Sequence, residues 1–160
     1  MITQAQALAR YGNPLKSKTD SIKFQQKWMM IWKYPQAIKD AIPALGESIY
    51  INKDLQTIYA MFLKELIKRG LHTEITENDQ CFMPRYQRGS TTAISKHTWA
   101  IGVDLNPTHN TIFNTREQCI AKGLKPFSKE FIQCVRDCGL ISGEDFGGRP
   151  DLMHIELANI

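Results

Sequence analysis

No apolar run in this sequence approaches the ~20 residues that a helix needs to span a bilayer. The first residues, MITQAQALARYGNPLKSK, are polar and charged where a secretory signal peptide has its apolar stretch. We therefore expect no membrane insertion, and synthesis in a cell or host cytoplasm without an encoded Sec route out. Internal repeats, low-complexity tracts and linker-like segments are also lacking, so one domain over residues 1–160 is the simplest organisation.

Cysteine is scarce, and its spacing fits no zinc ribbon or zinc finger. Cys134 and Cys138 stand one helical turn apart among apolar residues, where reduced thiols commonly serve as small core side chains. We therefore expect reduced cysteines. The full set is Cys81, Cys119, Cys134 and Cys138.

The charge balance is only mildly basic, because 20 Lys and Arg residues against 16 Asp and Glu residues leave a net charge of +4. This indicates a weak preference for anionic partners such as cell-envelope polymers. The basic residues form no concentrated patch with interleaved aromatic residues. We therefore expect no nucleic-acid partner, and we expect a monomer.

Hydrophobic periodicity and capping residues predict three helices after residue 51. The clearest covers residues 52–69, with Asn52 or Asp54 as its N-cap and a glycine directly after its basic last turn. Two shorter helices are predicted over 128–138 and 115–122.

Alternating apolar and polar residues predict three strands, over 71–76, 99–105 and 152–157. Residues 1–50 are expected to form a helical N-terminal part. Helices on both sides of a small antiparallel sheet make the predicted fold α+β, a small antiparallel sheet with flanking helices.

The segment SKHTWAIGVDLN joins a histidine and an aspartate that could share a metal ion. A continuous strand would separate His97 from Asp104 by more than about 20 Å, and a helix would still leave them about 10 Å apart. They can therefore share an ion only if the chain turns near 97–99 and Asp104 lies on the strand that follows. The small residues Ala100 and Gly102 are predicted to lie on the same strand face as Asp104 and to leave open space beside it.

A third ligand is available in RPDLMHIEL, residues 149–157, where His154 begins an apolar strand. Asp151, three residues earlier, is a carboxylate near the same point. Two imidazoles and one carboxylate leave a zinc ion with an open position and the charge to lower the pKa of a water molecule toward ~7. A nearby carboxylate can act as general base and return the proton to the leaving amine.

The two segments together follow the order Ser-x-His-x(6)-Asp, then an acidic residue-x-x-His followed shortly by Glu. The matching residues are Ser95, His97 and Asp104, then Asp151, His154 and Glu156. This pattern resembles the zinc peptidases of peptidoglycan related to D-alanyl-D-alanine carboxypeptidases, which include vancomycin-resistance dipeptidases and phage endolysins that cleave L-alanyl-D-glutamate. The resemblance covers residues 81–157 and is most specific in the two short motifs, whereas residues 1–50 lie outside it.

The resemblance implies a Hedgehog/DD-peptidase-like fold and Zn²⁺ as the cofactor. It implies that His97, Asp104 and His154 bind the zinc and that Asp151 is the general base.

The resemblance also implies an arginine upstream of the first motif that binds substrate or polarises its carbonyl. CFMPRYQRGS offers Arg85 and Arg88, and Arg85 is favoured by position. Ser95 either contacts substrate or caps the turn. Glu156 is either an orienting partner of a ligand histidine or a surface strand residue.

The chain departs from the family in two places. The family commonly has Gly-x-Ala-x-Asp along the strand, whereas this chain has Ala100 and Gly102 before Asp104. The family often has Trp ahead of the base motif, whereas residues 139–148 read GLISGEDFGG. Both strand positions stay small, which preserves the pocket. The absence of Trp before the base motif affects the expected leaving-group side of the substrate site.

The expected function is hydrolysis of the stem peptide of bacterial peptidoglycan by a zinc metallopeptidase of the phage or prophage endolysin type. The protein would act on the cell wall or in the periplasm after release. One alternative is a D-alanyl-D-alanine carboxypeptidase or dipeptidase. Another is a non-catalytic zinc-binding virion or wall-binding module on the same fold, which the presence of Asp151 disfavours.

Overall fold

A computed structural model describes residues 1–77 and 80–160. Helices and short strands alternate along these residues, together with several 3₁₀ turns. The helices are α1 Gln4–Tyr11, α2 Lys18–Trp28, α3 Gln36–Ala41, α4 Lys53–Lys68, α5 Arg116–Ala121 and α6 Lys129–Asp137. The strands are β1 Met29–Lys33, β2 Ser48–Asn52, β3 Gly102–Asp104, β4 Leu140–Ser142 and β5 His154–Leu157.

The strands form two separate antiparallel sheets. β1 and β2 pair with each other, and the second sheet has the order β3-β5-β4 with β5 in the centre. The α+β prediction of small antiparallel sheets with flanking helices is confirmed. Residues 1–50 contain α1, α2 and α3 but also β1 and most of β2, so this part is not only helical.

The helix α4 forms the centre of the core. It begins at the N-cap Asn52, whose side chain accepts a hydrogen bond from the backbone N–H of Asp54, and Gly70 follows its end in the left-handed conformation. The ring of Phe62 packs edge-on against Phe131 of α6, with ring centres 5.7 Å apart. Each such fully buried side chain stabilises the fold by roughly 1.5–3 kcal/mol. The buried face of α4 consists of Leu55, Tyr59, Phe62, Leu63 and Leu66.

The three helix predictions are confirmed, with bounds within two residues of those observed for α4, α5 and α6. The caps explain this accuracy. Ser128 accepts a hydrogen bond from the N–H of Phe131, and Thr115 forms a reciprocal capping box with Gln118. In the described part of the chain, no helix is both long enough and apolar enough to cross a membrane.

The predicted strand over 71–76 is wrong. Leu71–Glu74 form a 3₁₀ turn, and the backbone N–H groups of the next residues, Thr76 and Glu77, donate to the side chain of Asn106. The carboxylate of Glu74 accepts hydrogen bonds from Ser128 at the start of α6. The side chain of Asn106, about thirty residues away in sequence, therefore accepts the hydrogen bonds of these backbone N–H groups in place of a neighbouring strand.

The predicted strand over 99–105 is too long, because only Gly102–Asp104 pair as β3. Lys96–Trp99 form a 3₁₀ turn, and Ala100 follows it in the left-handed region with φ of 50°. The expected chain reversal near residues 97–99 is thus confirmed. The strand predicted over 152–157 begins at His154, as β5.

Candidate metal centre

The 3₁₀ turn Lys96–Trp99 carries the first histidine into the interior. The hydroxyl of Ser95 caps the turn by accepting a hydrogen bond from the backbone N–H of His97. The His97 side chain is buried, and its Nδ1 lies 2.9 Å from the carbonyl oxygen of Cys81. Since Nδ1–H donates to that carbonyl, the lone pair of Nε2 is left for a metal ion.

The pairing of β3 with β5 brings the other two candidates together. Asp104 and His154 are direct partners in the antiparallel register. Side chains opposite each other on neighbouring strands project to the same face and lie close together. The register thus places a carboxylate beside an imidazole at one end of the β3–β5 pair.

The ligand-type atoms of these three residues converge on one point. Asp104 Oδ1 lies 3.1 Å from His97 Nε2 and 3.0 Å from His154 Nδ1, and the two nitrogens are 3.1 Å apart. Zinc–ligand bonds of about 2 Å in tetrahedral geometry separate neighbouring donors by roughly 3.3 Å. Two imidazole nitrogens and one carboxylate oxygen at this spacing fit a zinc ion.

The carboxylate of Glu156 accepts a hydrogen bond from Nε2 of His154, the ring nitrogen that faces away from Asp104. Its Oε2 lies 3.2 Å from His154 Nε2, and both side chains are buried. A hydrogen bond from Nε2–H to this carboxylate leaves Nδ1 free to face the metal, which is the usual arrangement behind a ligand histidine. This geometry makes Glu156 an orienting partner and not a surface strand residue.

In the metal-free cluster, the pKa values of Asp104 and His154 shift in opposite directions. Burial opposes ionisation of Asp104, but its interactions with His154 and His97 outweigh burial and hold the pKa of Asp104 well below its ordinary value. Burial also opposes protonation of His154, but hydrogen bonds to Asp104 and Glu156 outweigh it and raise the pKa of His154 to about 10. In the metal-free protein at neutral pH, a proton on His154 therefore occupies the place of a cation.

Gly102 makes room for the ring of His154. A Cβ on Gly102 would stand 2.5 Å from Cε1 and 2.8 Å from Nε2 of that ring. The expectation that Ala100 and Gly102 leave open space beside Asp104 is therefore corrected: the histidine occupies the space at Gly102, and Ala100 is fully buried at the end of the 3₁₀ turn.

Asp151 lies near the cluster with an unused carboxylate oxygen. Its backbone N–H donates to the carbonyl of Gly143, and its own carbonyl accepts from the N–H of His154. Within the part of the chain that the structure describes, the buried Oδ1 has no hydrogen-bond partner. Burial raises the pKa of the Asp151 carboxyl above its ordinary value.

The cluster opens into a pocket of about 400 Å³ whose wall includes Asp151, Glu156 and every substrate-binding residue that the sequence predicts. Arg85 is half-buried, and its guanidinium contacts Met83 and the carbonyl of Tyr86. Arg88 is exposed. Ser95 both caps the turn at His97 and lines the pocket, so the two roles considered for it are compatible.

Several residues that line the pocket were not identified from the sequence. Phe146 lies against His154 with ring centres 5.8 Å apart. Ile112, Phe113 and Arg149 form another part of the pocket wall. Arg149 stands two residues before Asp151, which was a usable signal, whereas nothing in the sequence around Ile112 and Phe113 points to the site.

Comparison with known proteins gives one match. Residues 88–157, fewer than half of the 160, match a family model described as D-alanyl-D-alanine carboxypeptidase. Neither a curated protein nor a solved structure matches the chain. The matched range contains all three clustered residues, Asp151 and Glu156, and it begins after Arg85. The match supports a peptidase that acts on peptidoglycan peptides of the D-Ala-D-Ala type.

Proposed function

We propose that this protein is a zinc metallopeptidase that hydrolyses the peptide stem of bacterial peptidoglycan, as an endolysin of the L-alanyl-D-glutamate endopeptidase type. One observation carries the proposal: the convergence of His97, Asp104 and His154 beside the unpartnered carboxylate of Asp151, in one open pocket. The family match over residues 88–157 supports the peptidase class.

His97 Nε2, Asp104 Oδ1 and His154 Nδ1 would hold the metal, and they form a donor set that zinc prefers. Zinc bound there would supply a Lewis acid for the scissile carbonyl and lower the pKa of the attacking water. Glu156 keeps the His154 ring in the orientation that this requires.

Asp151 acts as the general base in this proposal. It accepts a proton from the attacking water and returns it to the leaving amine. Its raised pKa, caused by burial, makes the carboxylate a better proton acceptor than an exposed aspartate. Its unpartnered Oδ1 is available for this purpose.

Arg85, Arg88 and Ser95 bind the substrate in this proposal. The two guanidinium groups lie on the pocket wall, where their positive charge attracts an acidic peptide and offsets the carboxylates of Asp145, Asp151 and Glu156. Ser95 supports the site through its cap on the turn that holds His97. Arg85 remains the preferred partner for a substrate carboxylate or carbonyl.

A D-alanyl-D-alanine carboxypeptidase or dipeptidase is the second candidate function, favoured by the description of the matching family. It uses the same zinc ligands and the same base, so the two candidates differ only in the bond that is cut. The free carboxylate at the end of a substrate is recognised by the carboxypeptidase and is not required by the endopeptidase.

The place of action is part of the proposal. An endolysin made in the host cytoplasm reaches the wall after a separate protein permeabilises the membrane, and it acts there as a monomer on peptidoglycan. Addition of the purified protein to permeabilised Gram-negative cells should clear the suspension, and a chelator should prevent the clearing.

Digestion of purified peptidoglycan tests the activity and the bond together. We expect zinc-dependent release of peptides, and mass spectrometry should find new amino termini at D-glutamate for the endopeptidase. Loss of the terminal D-alanine alone would identify the carboxypeptidase. Cleavage of neither bond by zinc-loaded protein would reject the enzymatic proposal in favour of a wall-binding module.

Zinc content tests the ligands separately from activity. The substitution His97→Ala removes one of three protein ligands and should abolish stoichiometric zinc in elemental analysis. His109 lies outside the cluster and the pocket, so His109→Ala is the matched control and should keep its zinc. Full zinc occupancy in His97→Ala would reject the assignment.

A further inference from the structure

Phe113, which lines the pocket, has an unusual backbone conformation. Its φ is 65°, in the left-handed region that a bulky residue rarely adopts. Its side chain remains 47% exposed, so the conformation is not compensated by burial of the ring. Strained residues of this kind persist where surrounding bonds enforce them, and they concentrate at binding sites.

Hydrogen bonds enforce the conformation and connect it to the proposed base. The backbone N–H of Phe113 donates to the carbonyl of Pro150 at 2.7 Å. The preceding residue, Ile112, forms a β-bridge with Asp151. The side-chain amide of Asn114 donates to the Ile112 carbonyl at 3.2 Å and so closes the turn. Phe113 is therefore attached to the segment that carries Asp151.

The ring of Phe113 contacts a cation, the guanidinium of Arg149. The Cζ of Arg149 lies 4.7 Å from the ring centre, and both residues line the pocket. Among the described residues, no acceptor receives a hydrogen bond from the Arg149 guanidinium and no carboxylate pairs with it. Arg116 and Arg136, outside the pocket lining, pair with carboxylates, whereas the pocket arginines Arg85 and Arg88 share with Arg149 the lack of such a pair in the described part of the chain.

We propose that Arg149, held by the ring of Phe113, binds a carboxylate group of the substrate peptide. This inference rests on the proposed function and adds a substrate-binding residue to it. A guanidinium presents a fork of N–H donors that matches a carboxylate, and the aromatic face pre-organises it without using those donors. The stem peptide offers two such groups, the α-carboxylate of D-glutamate and the carboxylate at its end.

The position of Arg149 gives the contact a role in specificity. Arg149 and Asp151 both line the pocket, so a carboxylate bound at Arg149 would share the pocket with the proposed base. The carboxylates of Asp145, Asp151 and Glu156 also line the pocket, and a cation at the wall offsets their repulsion of an acidic peptide. Arg149 is therefore expected to select acidic stem peptides over neutral analogues.

The test uses the synthetic peptide L-Ala-γ-D-Glu-L-Lys-D-Ala-D-Ala with both carboxylates free, and the same peptide with both amidated. In the zinc-loaded protein, Arg149→Met should raise KM for the free peptide by about 10- to 100-fold, the usual effect of losing a charge-assisted hydrogen bond. KM for the amidated peptide and the zinc content should change little. Two singly amidated peptides identify which carboxylate is bound.

Lys125→Met is the matched control, because it removes one positive charge from an exposed residue outside the pocket. It should leave both KM values unchanged. An equal rise for free and amidated peptides in Arg149→Met, or no rise for either, would overturn the proposal.

Variants of Phe113 test the supporting contact. Phe113→Tyr keeps an aromatic face and should keep KM, whereas Phe113→Ala should raise KM for the free peptide by roughly 2- to 10-fold. Phe113→Gly should unfold at a higher temperature than Phe113→Ala, because glycine tolerates the observed φ and alanine does not. The reverse order of stability, or unchanged KM in Phe113→Ala, would contradict the role of the ring.

Binding measured by calorimetry separates this inference from the proposed function. If the wild-type protein cleaves none of the peptides, the proposed reaction fails, but tighter binding of the free peptide than of the amidated one still supports the inference. Loss of that preference in Arg149→Met is the expected result. Equal affinity of wild type and Arg149→Met for both peptides would overturn it.

Discussion

Gly102 decides at the residue scale whether His154 can reach the cluster. Even one added methyl group would stand 2.5 Å from the imidazole, and the ring would have to turn away from Asp104. We expect Gly102→Ala to lower zinc affinity by about 10- to 100-fold, the range typical of a disturbed ligand orientation. Competition with a chromogenic chelator measures this affinity.

Gly147 supplies the control for this prediction. A Cβ added there would meet no atom within 4 Å, and its backbone is not in the left-handed region. Gly147→Ala should therefore keep the zinc affinity and melting temperature of the parent. Unchanged affinity in Gly102→Ala would show that the cluster does not depend on the space beside this glycine.

Asp151 separates catalysis from metal binding. We expect Asp151→Asn to keep its zinc and its melting temperature and to lose turnover by ~10²–10⁴-fold, because the amide has the same shape but cannot accept a proton. The parent should also lose activity at acidic pH as Asp151 protonates, and in the metal-free protein burial raises the pKa of this carboxyl. Near-normal turnover by Asp151→Asn with zinc bound would make Glu156 the next candidate for the base.

Among the contacts between secondary-structure elements, those of Asn106 hold the segment 74–77 that follows α4. Its buried side chain accepts hydrogen bonds from the N–H groups of Thr76 and Glu77 and donates to the carbonyl of Glu74. Glu74 in turn caps α6 through Ser128, so one asparagine supports the path from α4 to α6. We expect Asn106→Ala to lower the free energy of unfolding by about 2–4 kcal/mol, since it leaves several buried polar groups unpaired.

A comparison of Asn106→Gly with Asn106→Ala separates the contribution of the side-chain hydrogen bonds to stability from that of the backbone conformation. Asn106 has φ of 47°, which glycine adopts without strain and alanine does not. Asn106→Gly should therefore be destabilised by roughly 1 kcal/mol less than Asn106→Ala in chemical denaturation. If both substitutions cost under about 0.5 kcal/mol, as surface changes do, the side chain does not hold this connection.

At the scale of the whole molecule, the cluster links stability to pH and metal. The folded pKa of His154, about 10, lies above the ordinary value of 6.5, so its contribution to stability is complete below pH 6.5 and is lost as pH rises toward 10. Asp104 has a lowered pKa, so its contribution is present above pH 3.8 and is lost on acidification. We expect the melting temperature of chelator-treated protein to fall between pH 6.5 and pH 10.

Zinc should remove this alkaline loss, because it replaces the proton on His154 and binds more tightly as ligands deprotonate. Melting curves at several pH values, with chelator and with excess zinc, measure the difference. Asp104→Asn provides the control, since His154 loses the hydrogen bond that contributes most to its raised pKa. An equal pH dependence with and without zinc would contradict a shared proton and metal site.

The sequence by itself determined the features that depend on neighbouring residues. The helices α4 and α6 begin at Asn52 and Ser128 as predicted, because a cap bonds to N–H groups within one turn. The resemblance of the two motifs to a known family also pointed to the three residues that converge, His97, Asp104 and His154. The alternation of apolar and polar residues over 71–76 wrongly predicted a strand, because this pattern alone does not provide a partner for the backbone.

Tertiary structure decided what depends on residues far apart in the chain. The amide of Asn106 replaced a strand partner for residues about thirty positions earlier. The register of β3 with β5 placed His154 opposite Asp104 and its ring over Gly102, and no feature of either segment alone specifies that register. Phe113 and Arg149 meet because the bridge between Ile112 and Asp151 joins two segments that are far apart in the chain. Capping and periodicity act within one turn of chain, whereas register and long-range hydrogen bonds exist only once the chain has folded.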